Sequence, residues 1–255
     1  MLDLTKPRPK VLIASPHAGH GHMAYFKSIH AIFAATSPET CIMRWEGCAG
    51  SNIAENQNTL VDLAQEKDVD YILFVETDMA FPGEALTLLL SHKKDIVGCV
   101  YPFKDHDLLA RNLADQKANL RYMGHEEDGS DITFLSLVEG EAVRKVEFVP
   151  MGLTLISMNA INAVQAYRTA QSTPPLAEGM KAAVFVHGEA AITGHKRTLV
   201  TTTDSTFCHT ARKAGFDIWM DARLSLLVEH VGQSNFGMLP ETWMAPEDLV
   251  TENAA

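Results

Sequence analysis

An α/β domain built on a mostly parallel sheet is the architecture this sequence predicts, and three observations predict it. Short apolar runs alternate with helix-periodic stretches through residues 10–102, the rhythm of parallel strands joined by crossover helices. The clearest run, Tyr71-Ile72-Leu73-Phe74-Val75, is continuous, aromatic and β-branched, as strands covered on both faces are. At 255 residues, 46% hydrophobic and 21% charged, the chain is long enough to bury a core without staples.

Taken in order, Val11 to Ala14 forms the first strand, and Ser15 to His22 a His/Gly/Pro loop. A helix follows from about Ala24 to Ala35, then a strand from Cys41 to Trp45. Asn52 to Gln65 is helical, with Ile53, Leu60 and Leu63 available for one face. After Tyr71 to Val75, Pro82 and Gly83 open a helix over Glu84 to Ser91, and Asp95 to Tyr101 is the fourth strand. The rhythm then changes. Lys104 to Glu127 is polar and mixed, with one helical patch. Ile132 to Val138 and Val143 to Val149 read as two strands paired antiparallel across Glu139-Gly140-Glu141. Gly152 to Ser157 is a strand, Asn159 to Arg168 a helix, and Ala170 to Lys181 a Pro/Gly loop. Asp204 to Ala214 is a helix ended by Gly215 as its C′ residue. Phe216 to Met220 and Leu224 to Glu229 are late strands. Residues 1–240 read as one domain, and 241–255 as a loose acidic tail.

The formal net charge of −11 argues against a broad basic surface for nucleic acid and against docking on anionic lipid. An acidic protein that binds a negative substrate needs a cation between the two, which points toward a divalent metal. Cys41, Cys48, Cys99 and Cys208 form no C-x-x-C pair and read as reduced thiols of a cytoplasmic protein. The N-terminus lacks a basic segment followed by an apolar stretch, so no signal peptide is expected. No apolar run reaches the roughly 18–20 residues of a membrane span. P-loop, G-x-G-x-x-G and G-x-S-x-G fingerprints are absent from the sequence.

Five groups of residues could carry chemistry. Glu76-Thr77-Asp78 places two carboxylates at the carboxyl end of a buried strand, where α/β sheets bind ligands. Such a pair suits Mg²⁺ or Mn²⁺ gripping a phosphate, although helix-capping acids also occur at strand ends. Asp204, at a helix start, is either a cap or a functional carboxylate. His230 follows a strand and is a reasonable Mn²⁺ ligand, although a lone His there is commonly structural. His17, His20 and His22 share a loop whose spacing fits no zinc signature. Gln57 and Asn58 lie on a helix after the second strand, where a plain polar face is the simpler reading.

Asp70 to Pro82, with Asp95 to Gly98 and Tyr101-Pro102, resembles the D-Y-hydrophobic-D-x-D-M-x-F region of the GT-A glycosyltransferases. Thr203-Asp204-Ser205-Thr206-Phe207-Cys208 is similar to that family's E-D-hydrophobic-x-F-C segment. Gly215 to Asp221 followed by His230-Val231-Gly232 is similar to its C-terminal G-F-x-I-W-x-D, strand, H-x-G pattern. The resemblance covers roughly residues 10–102 and 147–233. It departs at Glu76, where the family has Asp, at Gln57 in place of Arg, and at Thr203 in place of Glu. A GT-B assignment is set aside, because its two domains need a longer chain.

The resemblance implies a GT-A-like single domain with a Rossmann-like sheet and a smaller antiparallel part on the acceptor side. It implies a nucleotide-sugar-binding half over about 10–102 and an acceptor half over about 103–236. Asp78 and His230, with Glu76 near, would hold Mn²⁺ or Mg²⁺. Pro16, His17 and Asn58, with Glu76 and Asp78, would meet the nucleotide, and Asp204 would face the acceptor. The implied activity is transfer of a sugar from a nucleoside-diphosphate donor to a hydroxyl on a glycan, a protein or modified DNA. A nucleotidyltransferase using a nucleoside triphosphate with the same acids is the alternative, as is a non-catalytic nucleotide-binding relative.

Overall fold

The computed structural model describes residues 7–103, 121–191, 198–232 and 235–236. Of the stretch Lys104 to Glu127, expected to carry one helical patch, residues 104–120 lie outside the described residues and 121–126 are strand; the tail 241–255 also lies outside them. The strands are β1 (Lys10–His17), β2 (Ile42–Ala49), β3 (Tyr71–Val75), β4 (Met79–Ala80), β5 (Ile96–Gly98), β6 (Arg121–Glu126) and β7 (Asp131–Thr133). They continue with β8 (Val143–Phe148), β9 (Leu153–Ser157), β10 (Gly188–Ala191), β11 (Thr198–Thr201), β12 (Ile218–Asp221), β13 (Glu229–Val231) and β14 (Asn235–Phe236). The helices are α1 (Met23–Ala35), α2 (Ile53–Glu66), α3 (Ala85–Ser91), α4 (Phe134–Glu139), α5 (Met158–Ala170), α6 (Thr203–Lys213) and α7 (Ala222–Ser225).

Nine strands form the main sheet in the order β2-β1-β3-β9-β5-β12-β8-β6-β7. β1, β2, β3, β5, β6 and β12 run one way, and β7, β8 and β9 run the other. The expected α/β sheet is therefore present, with one rearrangement. β3 and β5 are not neighbours, because β9 from the second half of the chain enters antiparallel between them. The two halves of the sequence thus interleave in one sheet.

Period-two alternation decides which core each strand residue joins. Leu12, Ala14, Ile72, Phe74 and Ile156 pack with Leu60, Val61, Ile161, Phe185 and Phe207 beneath α2, α5 and α6. Val11, Ile13, Leu73, Val75 and Leu155 pack with Tyr25, Ile29, Leu86 and Leu89 beneath α1 and α3. Both faces of β1, β3 and β9 are covered, which is why Val11 to Ala14 and Ile72 to Val75 are unbroken apolar runs.

Three expectations are corrected. Ile132 to Val138 is not one strand, since β7 stops at Thr133 and α4 begins. The Thr133 side chain accepts the Ser136 N–H while the Ser136 hydroxyl accepts the Thr133 N–H, a reciprocal cap that stops the strand. The expected pairing of this segment with β8 is absent, and β8 lies between β12 and β6. Leu224 to Glu229 is also not a strand. Asp221 caps α7 by accepting the Leu224 N–H at 2.8 Å, and the strand begins only at Glu229. Pro16 and His17, expected in a loop, end β1 instead. The β1–β3 ladder stops at Ala14 and Phe74, so the missing N–H of Pro16 breaks no bond on that side.

Candidate functional site

The six co-directed strands put the ends of β1, β3 and β5 at one edge of the sheet. The antiparallel β9 begins there. Glu76, Thr77 and Asp78 therefore emerge beside the residues that lead into β9. The Glu76 N–H donates to the Gly152 carbonyl at 3.1 Å, which extends the ladder past Val75. The chain then reverses, and β4 pairs antiparallel with β13, with Met79 opposite His230. The Val231 N–H donates to the Asp78 carbonyl at 2.6 Å. Two short strands, far apart in sequence, thus bring Asp78 and His230 together.

His230 Nε2 lies 3.4 Å from Asp78 Oδ2, with the imidazole 11% and the carboxylate 31% exposed. His230 Nδ1 lies 3.1 Å from the Pro102 carbonyl. A carbonyl only accepts, so Nδ1 carries the hydrogen. Nε2 then either presents a lone pair to a carboxylate or bears a second proton. An imidazole nitrogen and a carboxylate oxygen at this spacing are two groups that could share one cation. Two ligands at right angles around one ion at about 2.1 Å each would stand about 3 Å apart, close to the spacing seen.

Glu76 sits on the other side of the same turn, with its Oε2 3.4 Å from the Tyr101 hydroxyl. Tyr101 is fully buried and also takes the Gly152 N–H, at 3.1 Å. Its ring meets the His230 imidazole edge-on, with centroids 4.9 Å apart. Burial, reinforced by the negative charges of Glu76, Asp204 and Asp78, holds the Tyr101 phenol well above its ordinary range.

Asp204 closes the far side of this constellation. It does not cap α6, because Thr202 does so by accepting the Ser205 N–H. The Asp204 carboxylate instead turns inward. It accepts the Met151 N–H at 3.1 Å and the Thr203 hydroxyl at 2.9 Å. Burial raises its pKa. The Met151 N–H, the Thr203 hydroxyl, the Gln57 amide and the nearby His187 pull it only partly back.

Gln57 and Asn58 divide sharply. Asn58 donates to the Ala54 and Phe185 carbonyls, both at 2.7 Å, and accepts the Val184 and Phe185 N–H groups. Its amide is fully committed to holding that segment against α2, so the sequence expectation of a nucleotide contact finds no spare hydrogen-bonding group. Gln57 is fully buried, and neither amide atom meets hydrogen-bond geometry with a described partner. It lies close enough to Asp204 to favour the ionised carboxyl without completing a bond to it.

His17 ends β1 at the same sheet edge, with its Nδ1 accepting the Gly19 N–H at 3.0 Å. Pro16 is buried beside it in β1. The loop that follows is fastened to the acid turn. Thr77 donates from its hydroxyl to the His20 carbonyl at 3.0 Å, and the His22 N–H donates to the Thr77 carbonyl at 2.9 Å. Among the described residues, no group of three or more His, Cys, Asp or Glu side chains is arranged to hold a metal, neither His17, His20 and His22 nor the expected set of Glu76, Asp78 and His230, of which only Asp78 and His230 are seen to meet. The four cysteines are free, with Cys41, Cys99 and Cys208 buried.

Sequence reasoning missed the central place of Tyr101 and Gly152. Tyr101-Pro102 stood out only through the family resemblance. A visible signal was an aromatic hydroxyl three residues past an apolar strand, together with a glycine before β9. A Cβ on Gly152 would collide with the Tyr101 hydroxyl and ring.

Among the described residues no helix is long and apolar enough to cross a membrane. No protein-family model matches the chain. No curated protein matches it either. Among solved structures the chain is similar to A197 from STIV at 12% identity and a TM-score of 0.50, over 92% of this chain and 97% of that one. At that identity the likeness is one of α/β fold.

Proposed function

We propose that this protein is a metal-dependent glycosyltransferase that moves a sugar from a nucleoside-diphosphate sugar to a hydroxyl acceptor. The observation that carries the reading is the meeting of Asp78 Oδ2 and His230 Nε2 at 3.4 Å, at the sheet edge where α/β folds bind ligands. The donor set fits Mg²⁺ or Mn²⁺. Those ions keep several waters and take one or two protein ligands together with substrate phosphates, unlike a closed zinc site. A divalent cation bound there supplies charge that offsets what builds on the departing diphosphate.

Asp78 and His230 bind and orient the donor's phosphate end, with Glu76 beside them. Pro16 and His17, at the end of β1, lie on the side where the nucleoside enters. Asp204 is the carboxylate assigned to the acceptor, whose hydroxyl has to reach in to it because the carboxylate is buried beside Met151 and Thr203. It takes the hydroxyl proton in an inverting transfer or aligns the hydroxyl in a retaining one. A carboxyl raised by burial is a stronger base than an exposed one. The hydroxyl belongs to a glycan, a protein or modified DNA.

Incubation with a panel of UDP- and GDP-sugars tests the reading, with and without Mn²⁺. Release of nucleoside diphosphate that requires Mn²⁺ is the expected result. Turnover of nucleoside triphosphates with pyrophosphate release would instead indicate a nucleotidyltransferase. No turnover of either class would leave a binding protein.

A further inference from the structure

The two edges of the nine-stranded sheet end differently. β7 closes one edge with three residues and gives way at once to α4. β2 closes the other with eight, paired to β1 without a bulge. Among the described residues β1 is its only strand partner. β2 also lacks the proline, lysine or bulge with which edge strands block further pairing. The Ile42 N–H donates to the Pro9 carbonyl and the Gly50 N–H to the His17 carbonyl, both at 2.9 Å. Even-numbered residues therefore turn their backbone to β1, and Met43, Trp45 and Gly47 turn theirs outward. Gly47 and Ala49 are exposed with little or no side chain, so their backbone is what lies open.

The side chains on this edge complement themselves. Arg44 and Glu46 flank Trp45 on one face of β2 and are ion-paired within the chain. In an antiparallel pair with a two-fold axis at Trp45, each Arg44 lies opposite the Glu46 of the other copy. A register shifted by two residues either way would set Arg44 against Arg44 or Glu46 against Glu46. The same axis makes the outward-facing Trp45 residues a hydrogen-bonded pair. The Trp45 indole is 42% exposed yet anchored, with its Nε1 donating to the Tyr25 hydroxyl at 3.0 Å and the Ser15 hydroxyl at 3.2 Å.

We propose that β2 is a homodimer interface, joining two copies of this chain into one sheet of eighteen strands, nine from each. The strands of the two copies run oppositely, so their Asp78–His230 edges open at opposite ends of the joined sheet. The inference does not depend on the glycosyltransferase reading.

Sedimentation equilibrium of the full chain over a range of concentrations tests it, and a monomer–dimer equilibrium is the expected result. Arg44→Glu and Glu46→Arg, each alone, are expected to weaken dimerisation about tenfold or more, since the two-fold axis counts each like-charge contact twice. Arg44→Glu combined with Glu46→Arg is expected to restore it. Circular-dichroism melting checks that each variant folds. A second arm uses the free thiol of Cys48. The register sets Ile42 opposite the other copy's Cys48 with Cα atoms about 4.5 Å apart, within reach of a disulfide. Ile42→Cys is expected to yield a covalent dimer on mild oxidation, and adding Cys48→Ser to abolish it. A wild type that stays monomeric at every concentration overturns the proposal. So do single charge variants that dimerise like the wild type, or a combined variant no better than either single one. A missing cross-link, or one that survives Cys48→Ser, also overturns it, and this arm decides the matter if the charge variants do not fold.

Discussion

The two sides of the sheet edge around β9 are built on opposite principles. On the Asp78–His230 side, the imidazole, the phenol and the backbone carbonyls of Asp78 and Pro102 all have partners, and the Asp78 carboxylate keeps 31% of its surface open. On the Asp204 side, the carboxylate is sealed inside, and the neighbouring Gln57 amide lacks a hydrogen-bonded partner among the described residues. One side holds its groups fixed while leaving the carboxylate partly open to solvent. The other holds polar groups in a state that costs stability, the usual mark of a site kept for function.

Breaking the Asp78–His230 side should have the largest effect. On the proposed function, His230→Ala is expected to lower donor-sugar turnover by on the order of a hundredfold while the fold survives, because one of the two groups proposed to hold the ion is lost. Steady-state kinetics over a Mn²⁺ titration checks this, and rescue at high Mn²⁺ would place the loss in ion binding.

Adjacent residues of α2 sharpen the contrast. Asn58→Ala is expected to destabilise the protein by about 2–3 kcal/mol, because four hydrogen bonds to the 184–185 backbone and Ala54 are lost in a half-buried place. Gln57→Leu is expected to act in the opposite direction, raising stability by about 1 kcal/mol as an unpartnered buried amide is replaced by a similar apolar volume. Urea titration of both variants distinguishes them by sign.

The smallest and most diagnostic effect concerns Asp204. Its carboxyl pKa is raised in the folded chain, chiefly by burial. Its ionised form is therefore disfavoured by folding, and the folded state loses stability as pH rises from the unfolded carboxyl range through the raised value. Asp204→Asn should melt higher than the wild type at neutral pH, with the gain shrinking as pH falls, and on the proposed function it abolishes sugar transfer. A gain of the same size at acid and neutral pH would show that the carboxyl carries no such cost.

Much of the fold and part of the site are legible in the residues themselves. The apolar run from Tyr71 to Val75 is unbroken, so burial on both faces follows from the residues alone. The i, i+2 acids at its end had to emerge at a sheet edge. Gly215, with a φ of +94°, ends α6 as its position after Ala214 implies. Local chemistry is harder to read where a cap competes with an apolar run. Ile132 to Val138 carries strand-forming residues, yet the hydroxyls of Thr133 and Ser136 close a helix start inside it. The same happens at Asp221, whose carboxylate turns an apparent strand into α7.

Sequence by itself determined which residues are apolar and where turns and acids punctuate them, because alternation and capping act over a few neighbouring residues. Only the tertiary structure decided that β9 enters backwards between β3 and β5, so that Gly152 meets both Glu76 and Tyr101. It also decided that β4 pairs with β13 across about 150 residues of chain to set His230 against Asp78. Those contacts depend on long-range strand pairing, whose partners no local pattern specifies. The division between Gln57 and Asn58 has the same origin. One helix turn carries both amides, and packing against residues 184–185 and 204 gives Asn58 three bonds beyond its own helix and leaves Gln57 without any among the described residues.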